Sequence, residues 1–267
     1  ALVGNLGRVR RQTGRLLATT EEKAVEEVAR TEATDGGVPP DEIGAAHGES
    51  QRHTIAEVLD RWLRELAGGS EAIDRLLTGT HFVPTIKSWA PDLWRELEGL
   101  ARGANQPFET MLAYNLMDEE WSFHSGRMGE APGCTAIAIE GVGIGQTMDI
   151  PSVHDGSQIV LRMKPNDGPA QIVFTGAGML ALNGANADGV GVVVNNLSQN
   201  PASDSGLPVM FVVRSILARR SRADAVEFVK SVPHAIGQHY LICGPDGISS
   251  LEAAANGVFD VPLSSCY

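Results

Sequence analysis

The periodicity of this chain changes once, at Cys134, and that change bounds what the chain can fold into. Before it, apolar residues recur at helical spacing; after it, short runs alternate between Gly, Asn and Asp turns. Ile55, Val58, Leu59, Trp62, Leu63 and Leu66 keep an i, i+3, i+4, i+7 rhythm, which predicts one long helix from Asp41 to a stop at Gly68 and Gly69. Thr19 and Glu22 have capping-box spacing, so a further helix is expected over EKAVEEVARTEA, ending in the turn-rich TDGGVPPDE. Pro91 and Pro107 stand where a first helical turn tolerates proline, and the chain reads as helical to about residue 120.

Beyond Cys134, strands are expected at Thr135 to Glu140, Ile144 to Ile150, Ser157 to Met163, Gln171 to Thr175, Met179 to Leu182 and Val190 to Asn196. A tight hairpin is expected at Gly141, Val142 and Gly143. Helices at Pro208 to Arg219 and Arg222 to Ser231 precede a second hairpin, QHYLICGPDGISSLEAA, turning at Pro245, Asp246 and Gly247. Strands, then helices, then strands imply an α+β or layered sandwich domain.

A chain of 267 residues buries enough surface to fold without staples. Its 33 acidic and 21 basic residues leave a net charge of -12, opposite to what a phosphate backbone wants, so nucleic acid is not an expected partner. Cys134, Cys243 and Cys266 are an odd set without CxxC or Cys/His spacing; neither a disulfide framework nor a metal site is expected, and a reducing, cytoplasmic setting fits. No run approaches the ~20 apolar residues that span a bilayer, so no membrane is expected. The N-terminus lacks Met and a signal-peptide core.

The ordinary reading of Cys134 is a small buried hydrophobe opening a strand. The sharper reading is an N-terminal nucleophile. Cleavage of the Gly133-Cys134 bond would give the thiol its own α-amino group, whose pKa of about 7.7–8.0 suits a general base. Glycine before the bond would permit the strained backbone that attack by the next residue requires.

GCTAIAI, GQTMDI, ALNGANADGVGVVVNNL, GLPVMFVVRSILARRSRADAVEFV and HYLICGPDGISSLEAA, in that order, resemble the isopenicillin N acyltransferase family of N-terminal nucleophile (Ntn) hydrolases. AAHGESQR and MLAYNLMDEEW resemble the helical part of that family's precursor. The resemblance implies a four-layer αββα sandwich behind a mostly helical segment, with residues 1–133 as α-chain and 134–267 as β-chain. It implies self-cleavage before Cys134, an acyl-Cys thioester from a small N-acyl amide, and transfer of the acyl group to water or an amine. No cofactor is implied, although a coenzyme A thioester is an alternative acyl donor. The family continues past the position of Tyr267 into a Thr-Asn-His-like motif, so the β-chain is expected to be incomplete here.

By position, Cys134 matches the nucleophile, Asp149 an acidic residue that would orient the α-ammonium, and Asn186 and Asn195 amides that would stabilise an oxyanion. Asn196 is the alternate if the register shifts by one, and Thr135 joins it in substrate binding. Each has a structural reading too: Asp149 as a strand-end residue, Asn186 as a turn residue with positive φ. His47 and Arg52 read as a helix surface, Asp118, Glu119 and Glu120 as a solvated acidic face, His234 and His239 as too loosely spaced for metal ligands, and Cys243 as packed core. The competing function is an uncleaved, non-catalytic αββα scaffold that binds a ligand or partner. The two chains of one precursor are expected to stay together, because the apolar faces around Trp62 and Trp94 need a covering layer. Homo-oligomerisation is left open.

Overall fold

The computed structural model describes residues 27–30, 37–125 and 133–263. Strand β1 (Glu27–Arg30) is followed by helices α1 (Pro40–Ser50), α2 (Arg52–Glu65), α3 (Ser70–Gly79), α4 (Phe82–Trp89), α5 (Pro91–Ala104), α6 (Phe108–Tyr114) and α7 (Met117–Glu120), then a π-helical turn, Trp121–Ser125. Strands β2 (Thr135–Ile139) and β3 (Gly143–Thr147), a 3₁₀ turn at Ser152–His154, and strands β4 (Gln158–Met163), β5 (Gln171–Gly176), β6 (Asn183–Asn186) and β7 (Gly191–Asn196) follow. The order closes with α8 (Val209–Leu217), α9 (Arg222–Ser231), β8 (Gln238–Gly244), β9 (Gly247–Ala254) and β10 (Gly257–Asp260).

The strands form a large sheet in the order β1-β4-β5-β6-β7-β8-β9-β10 and a separate β2-β3 hairpin. All pairings are antiparallel except β1 with β4. On one face of the sheet α8 packs over β6 and β7, and α9 over β8, β9 and β10; the hairpin packs against β7 and β8. This is the α+β arrangement of an Ntn-type sandwich behind a helical N-terminal segment. Side-chain alternation fixes which face is which. A Cβ on Gly191 would touch Cys243 and Ile144 of the hairpin, whereas one on Gly184 would touch Leu217 of α8.

Every residue of α8 is buried, because the sheet covers one side and the N-terminal helices the other. Arg214 of α8 donates to both carboxylate oxygens of Glu96 on α5, at 2.6 and 2.9 Å, and to Gln171 on β5, with 2% and 5% of the Arg214 and Glu96 side chains exposed. The described helices before residue 121 and the segment after Gly133 thus share a core, in which Trp62 is 3% exposed.

Three differences from the sequence expectation have physical causes, and a close helix crossing accompanies them. The long helix from Asp41 is two helices, α1 and α2, meeting at Gln51 (φ −110°, ψ 14°). Glu27–Arg30 is an edge strand instead of helix, drawn into pairing with the otherwise unpaired backbone of β4; the rest of the expected N-terminal helix lies outside the described residues. The apolar run Met179 to Leu182 is a buried loop instead of a strand. Its backbone is satisfied by the Asn115 side chain, which donates to Gly178 O and accepts from Leu180 N–H, at 2.9 and 2.8 Å. Finally, α1 and α5 cross too closely for side chains: a Cβ on Gly44 would lie 1.8 Å from Glu96 O, and one on Gly99 2.0 Å from Asp41 O.

Candidate active site

Strand β6 is short, and β7 runs on past it, from Val193 to Asn196, with β8 on one side only. A cavity of about 290 Å³ opens around that free edge. Val194 and Asn196 of β7, Gln238 of β8 and Val209, Met210 and Val213 of α8 form its floor, while Gly133, Cys134, Met148 and Asp149 form the hairpin side. The end of α2 and the turn around α7 close it with Trp62, Glu65, Asp118, Glu120 and Trp121.

The hairpin brings Cys134 and Asp149 to one cavity. Thr135 pairs with Thr147 at the end of the ladder, and just beyond it Gly133 and Cys134 on one strand and Met148 and Asp149 on the other all line the cavity. The turn is the one expected: Gly141 and Gly143 take φ of 73° and 143°, and Val142 N–H donates to Ile139 O at 3.0 Å. Gln146 anchors the hairpin to the sheet, donating to Val194 O and, at 3.1 Å, to Asn195 Oδ1, and accepting from Asn183 Nδ2 at 3.2 Å.

Of the residues singled out from the sequence, Gly133, Cys134, Asp149 and Asn196 line this one cavity. Asn195 points to the other face of the sheet, against Gln146. Asn186 is 9% exposed and clamps a turn: its amide donates to Leu217 O and Arg219 O at 2.9 and 2.7 Å, and its Oδ1 accepts from the Asp188 and Val190 N–H groups. Its donors are spent on structure, and the positive φ of that turn belongs to Gly189, at 86°. Thr135 is exposed and its N–H donates to Thr147 Oγ1 at 3.3 Å, outside the cavity lining. Gly133 has no neighbour within 4 Å of a Cβ position and no positive φ, so the structure gives the glycine no steric reason.

Sequence reasoning missed the acidic run. Glu119 is 0% and Glu120 4% exposed, and Asp118 is half-buried against the cavity, where a solvated face was expected. Burial pushes the Asp118 carboxyl up to about 6. Glu119 rises to about 8, through burial and then the charge of Asp118, although its Oε1 accepts from Val209 N–H at 2.9 Å. The signal was the setting: three acids in register between Met117 and Trp121, directly after a buried helix. His47 is likewise buried, at 4% exposure, its Nε2 accepting from Gly178 N–H at 3.2 Å, and desolvation, then Arg214, lowers it to about 3. Arg52 is exposed, donating to Gly103 O at 3.0 and 2.8 Å.

His154 and Tyr114 share a hydrogen bond of 3.0 Å behind Trp62, and burial, then Arg61, lowers His154 to about 4. His234 is held by Val229 O and His239 by Ser250 Oγ, each in its own local bond. Cys243 is a half-buried free thiol, as is Cys134, and Cys266 lies outside the described residues. Among the described residues no three His, Cys, Asp or Glu gather as a metal site, and no helix is long and apolar enough to cross a membrane.

Comparison with known families reaches the same part of the chain. Residues 140–258 match the family described as acyl-coenzyme A:6-aminopenicillanic acid acyl-transferase. That stretch is similar to an acyl-transfer domain of the Ntn-hydrolase kind. It includes Asp149, Asn195, Asn196 and Gln238 and begins six residues after Cys134. No curated protein matches the chain.

Proposed function

We propose that the protein is a self-processing Ntn amide hydrolase. The observation that carries this reading is that Gly133, Cys134, Asp149 and Asn196, drawn from separate elements, line one cavity in contact with a domain of an acyl-transfer family. In processing, Cys134 Sγ attacks the Gly133 carbonyl carbon, the C–N bond breaks, and the amide nitrogen takes up a proton as the new α-amine. Water then hydrolyses the Gly133 thioester, leaving a carboxylate on residues up to 133 and a free thiol on Cys134.

In turnover the α-amine of Cys134 takes the thiol proton as Sγ attacks a substrate amide, and returns it to the leaving amine. Asp149 orients the ammonium, and the Asn196 amide donates to the developing oxyanion. Water or a second amine then accepts the acyl group from the thioester. Among the described residues the charged side chains lining the cavity are Glu65, Asp118, Glu120 and Asp149, all acidic, which disfavours the phosphates of a coenzyme A thioester and favours hydrolysis of a small N-acyl amine. A reducing, cytoplasmic setting would keep the thiol free.

The test is intact-protein mass spectrometry of the purified protein beside a Cys134→Ala variant. Two fragments meeting between Gly133 and Cys134, absent from the variant, are expected. One uncut mass in both would instead support the non-catalytic scaffold.

A further inference from the structure

Gln238 opens β8 as a buried polar residue with no role in the chemistry above. It is 2% exposed, lines the cavity, and its Nε2 has no hydrogen-bond partner among the described residues. Its surroundings are apolar: its partner across β9 is Ala253, and the α8 side chains that line the cavity with it are Val209, Met210 and Val213. Folds keep few buried amide donors unpaired, because the lost hydration is returned only by an acceptor. For a donor that lines a cavity, that acceptor is carried by what the cavity binds.

The pairing of β7 with β8 says which part of the cavity this is. Gln238 lies directly across from Asn196, and the pairs Asn195–His239 and Val194–Tyr240 follow in register. Directly opposed residues share a face of the sheet, with Cβ atoms about 4.5–5.5 Å apart, so the Gln238 and Asn196 amides stand side by side on the cavity floor. Asn195 and His239 turn to the other face, where Gln146 and Ser250 bond them. The backbone beneath the two amides is clamped. Leu197 N–H donates to Gly237 O at 2.9 Å, and a Cβ on Gly237 would lie 2.4 Å from Leu197 O. Both donors are thus fixed before a substrate enters, which is what stabilisation of a developing charge requires.

We infer that Gln238 is a second oxyanion donor, a catalytic residue that shares with Asn196 the carbonyl oxygen under attack by Cys134. The inference rests on the acyl-transfer reading of the cavity and adds a group to it. As Sγ bonds to the acyl carbon, the π pair of the C=O moves onto oxygen, where Nε2–H of Gln238 and the amide N–H of Asn196 hold the charge. The pair returns to re-form the carbonyl as the C–N bond breaks, leaving the thioester and an amine that takes the thiol proton by way of the α-amine. A donor unpaired at rest and bonded in the transition state raises kcat without tightening the ground state.

Gln238→Met keeps the length of the side chain and removes the donor. Two reagents separate its effect on the oxygen from any effect on the thiol. 4-Nitrophenyl butanoate acylates Cys134 through a tetrahedral oxyanion, whereas iodoacetamide alkylates it by displacement at a CH2 carbon, placing no charge on a carbonyl oxygen. Both are read as mass gains on the peptide that carries Cys134. Acylation is expected to slow on the order of 10²-fold and alkylation to stay unchanged. The thermal midpoint should rise by about 2–4 °C, because a buried unpaired donor is gone. Equal acylation rates in the variant and the unmutated protein overturn the inference. So does a slowing of both reagents together, which would make Gln238 a support of the thiol, and so does a lowered midpoint, which would make it a structural residue. An unmutated protein that is alkylated at Cys134 but never acylated contradicts the acyl-transfer reading itself, and the inference falls with it.

Discussion

The large sheet and the β2-β3 hairpin are both antiparallel and both turn on glycines, yet they are held in opposite ways. The sheet is buried beneath α8 and α9, and Val173, Val192, Ile242 and Leu251 are completely enclosed. The hairpin has no buried residue: Ile137 and Ile139 stand 58% and 50% exposed on its outer face, and its inner face holds on chiefly through Gln146. The cavity lies between a rigid floor and a lightly held wall, and Cys134 is on the wall. The lesson is a division of labour. Gln238 sits where packing fixes it, while the Cys134 thiol sits beside a hairpin with no buried residue, the kind of lightly packed segment that opens most readily.

The heaviest way to break this contrast is to attack the floor. Glu96→Ala leaves Arg214 charged and buried without its partner, and should cost about 3–5 kcal/mol, read as a lower denaturation midpoint for the whole protein. Gly99→Ala forces a Cβ to within 2.0 Å of Asp41 O, prising α5 from α1, with an expected loss of about 3 kcal/mol.

An intermediate effect should appear with pH. Glu119 has a folded pKa of about 8 against 4.5 in the unfolded chain, so the folded state holds the extra proton and this group's contribution to stability falls as pH rises from 4.5 to 8. His47 and His154 act oppositely: lowered from 6.5 to about 3 and about 4, they make stability fall as pH drops below 6.5. Of these groups Glu119 is the one whose folded value lies well above pH 6.5, so thermal midpoints of the unmutated protein should decline from pH 6.5 to about 8, and Glu119→Gln should flatten that decline.

The wall should respond locally. Gln146→Ala removes the contacts to Val194, Asn195 and Asn183, so amide hydrogen exchange should quicken across residues 135–147 while α8 stays protected, with a global cost of about 1–2 kcal/mol. The smallest effect is expected from Ile137→Thr, on the open face, within about 0.5 kcal/mol. A large loss there would mean that the hairpin is held as firmly as the sheet.

How legible each region was follows from the same contrast. The hairpin was read almost residue by residue, because glycine turns and alternation are local signals, and α9 was read at its observed bounds, Arg222–Ser231. Residues fixed by packing were harder. His47 belongs to the buried stripe of α1, four residues after Ile43 and flanked by Gly44 and Gly48 at the α5 crossing, but a polar side chain on a helix reads as surface until its partner helix is known. Asp118, Glu119 and Glu120 misled in the same way. Asn186 and Asn195 show the limit of motif position. Both lie in the strand region that the resemblance marked, and only the pleat, with the capture of the Asn186 amide by Leu217 O and Arg219 O, decides that Asn196 is the asparagine that lines the cavity with Cys134.

The central claim is that Cys134 carries an acyl group. The most direct measurement is mass spectrometry of the protein quenched during incubation with a panel of N-acyl amines, with the adduct mapped by peptide. The account predicts a mass gain equal to the acyl group on the peptide beginning at Cys134, labile to hydroxylamine and missing from Cys134→Ala. Amide hydrolysis that persists in Cys134→Ala, with no adduct on that peptide, would contradict it.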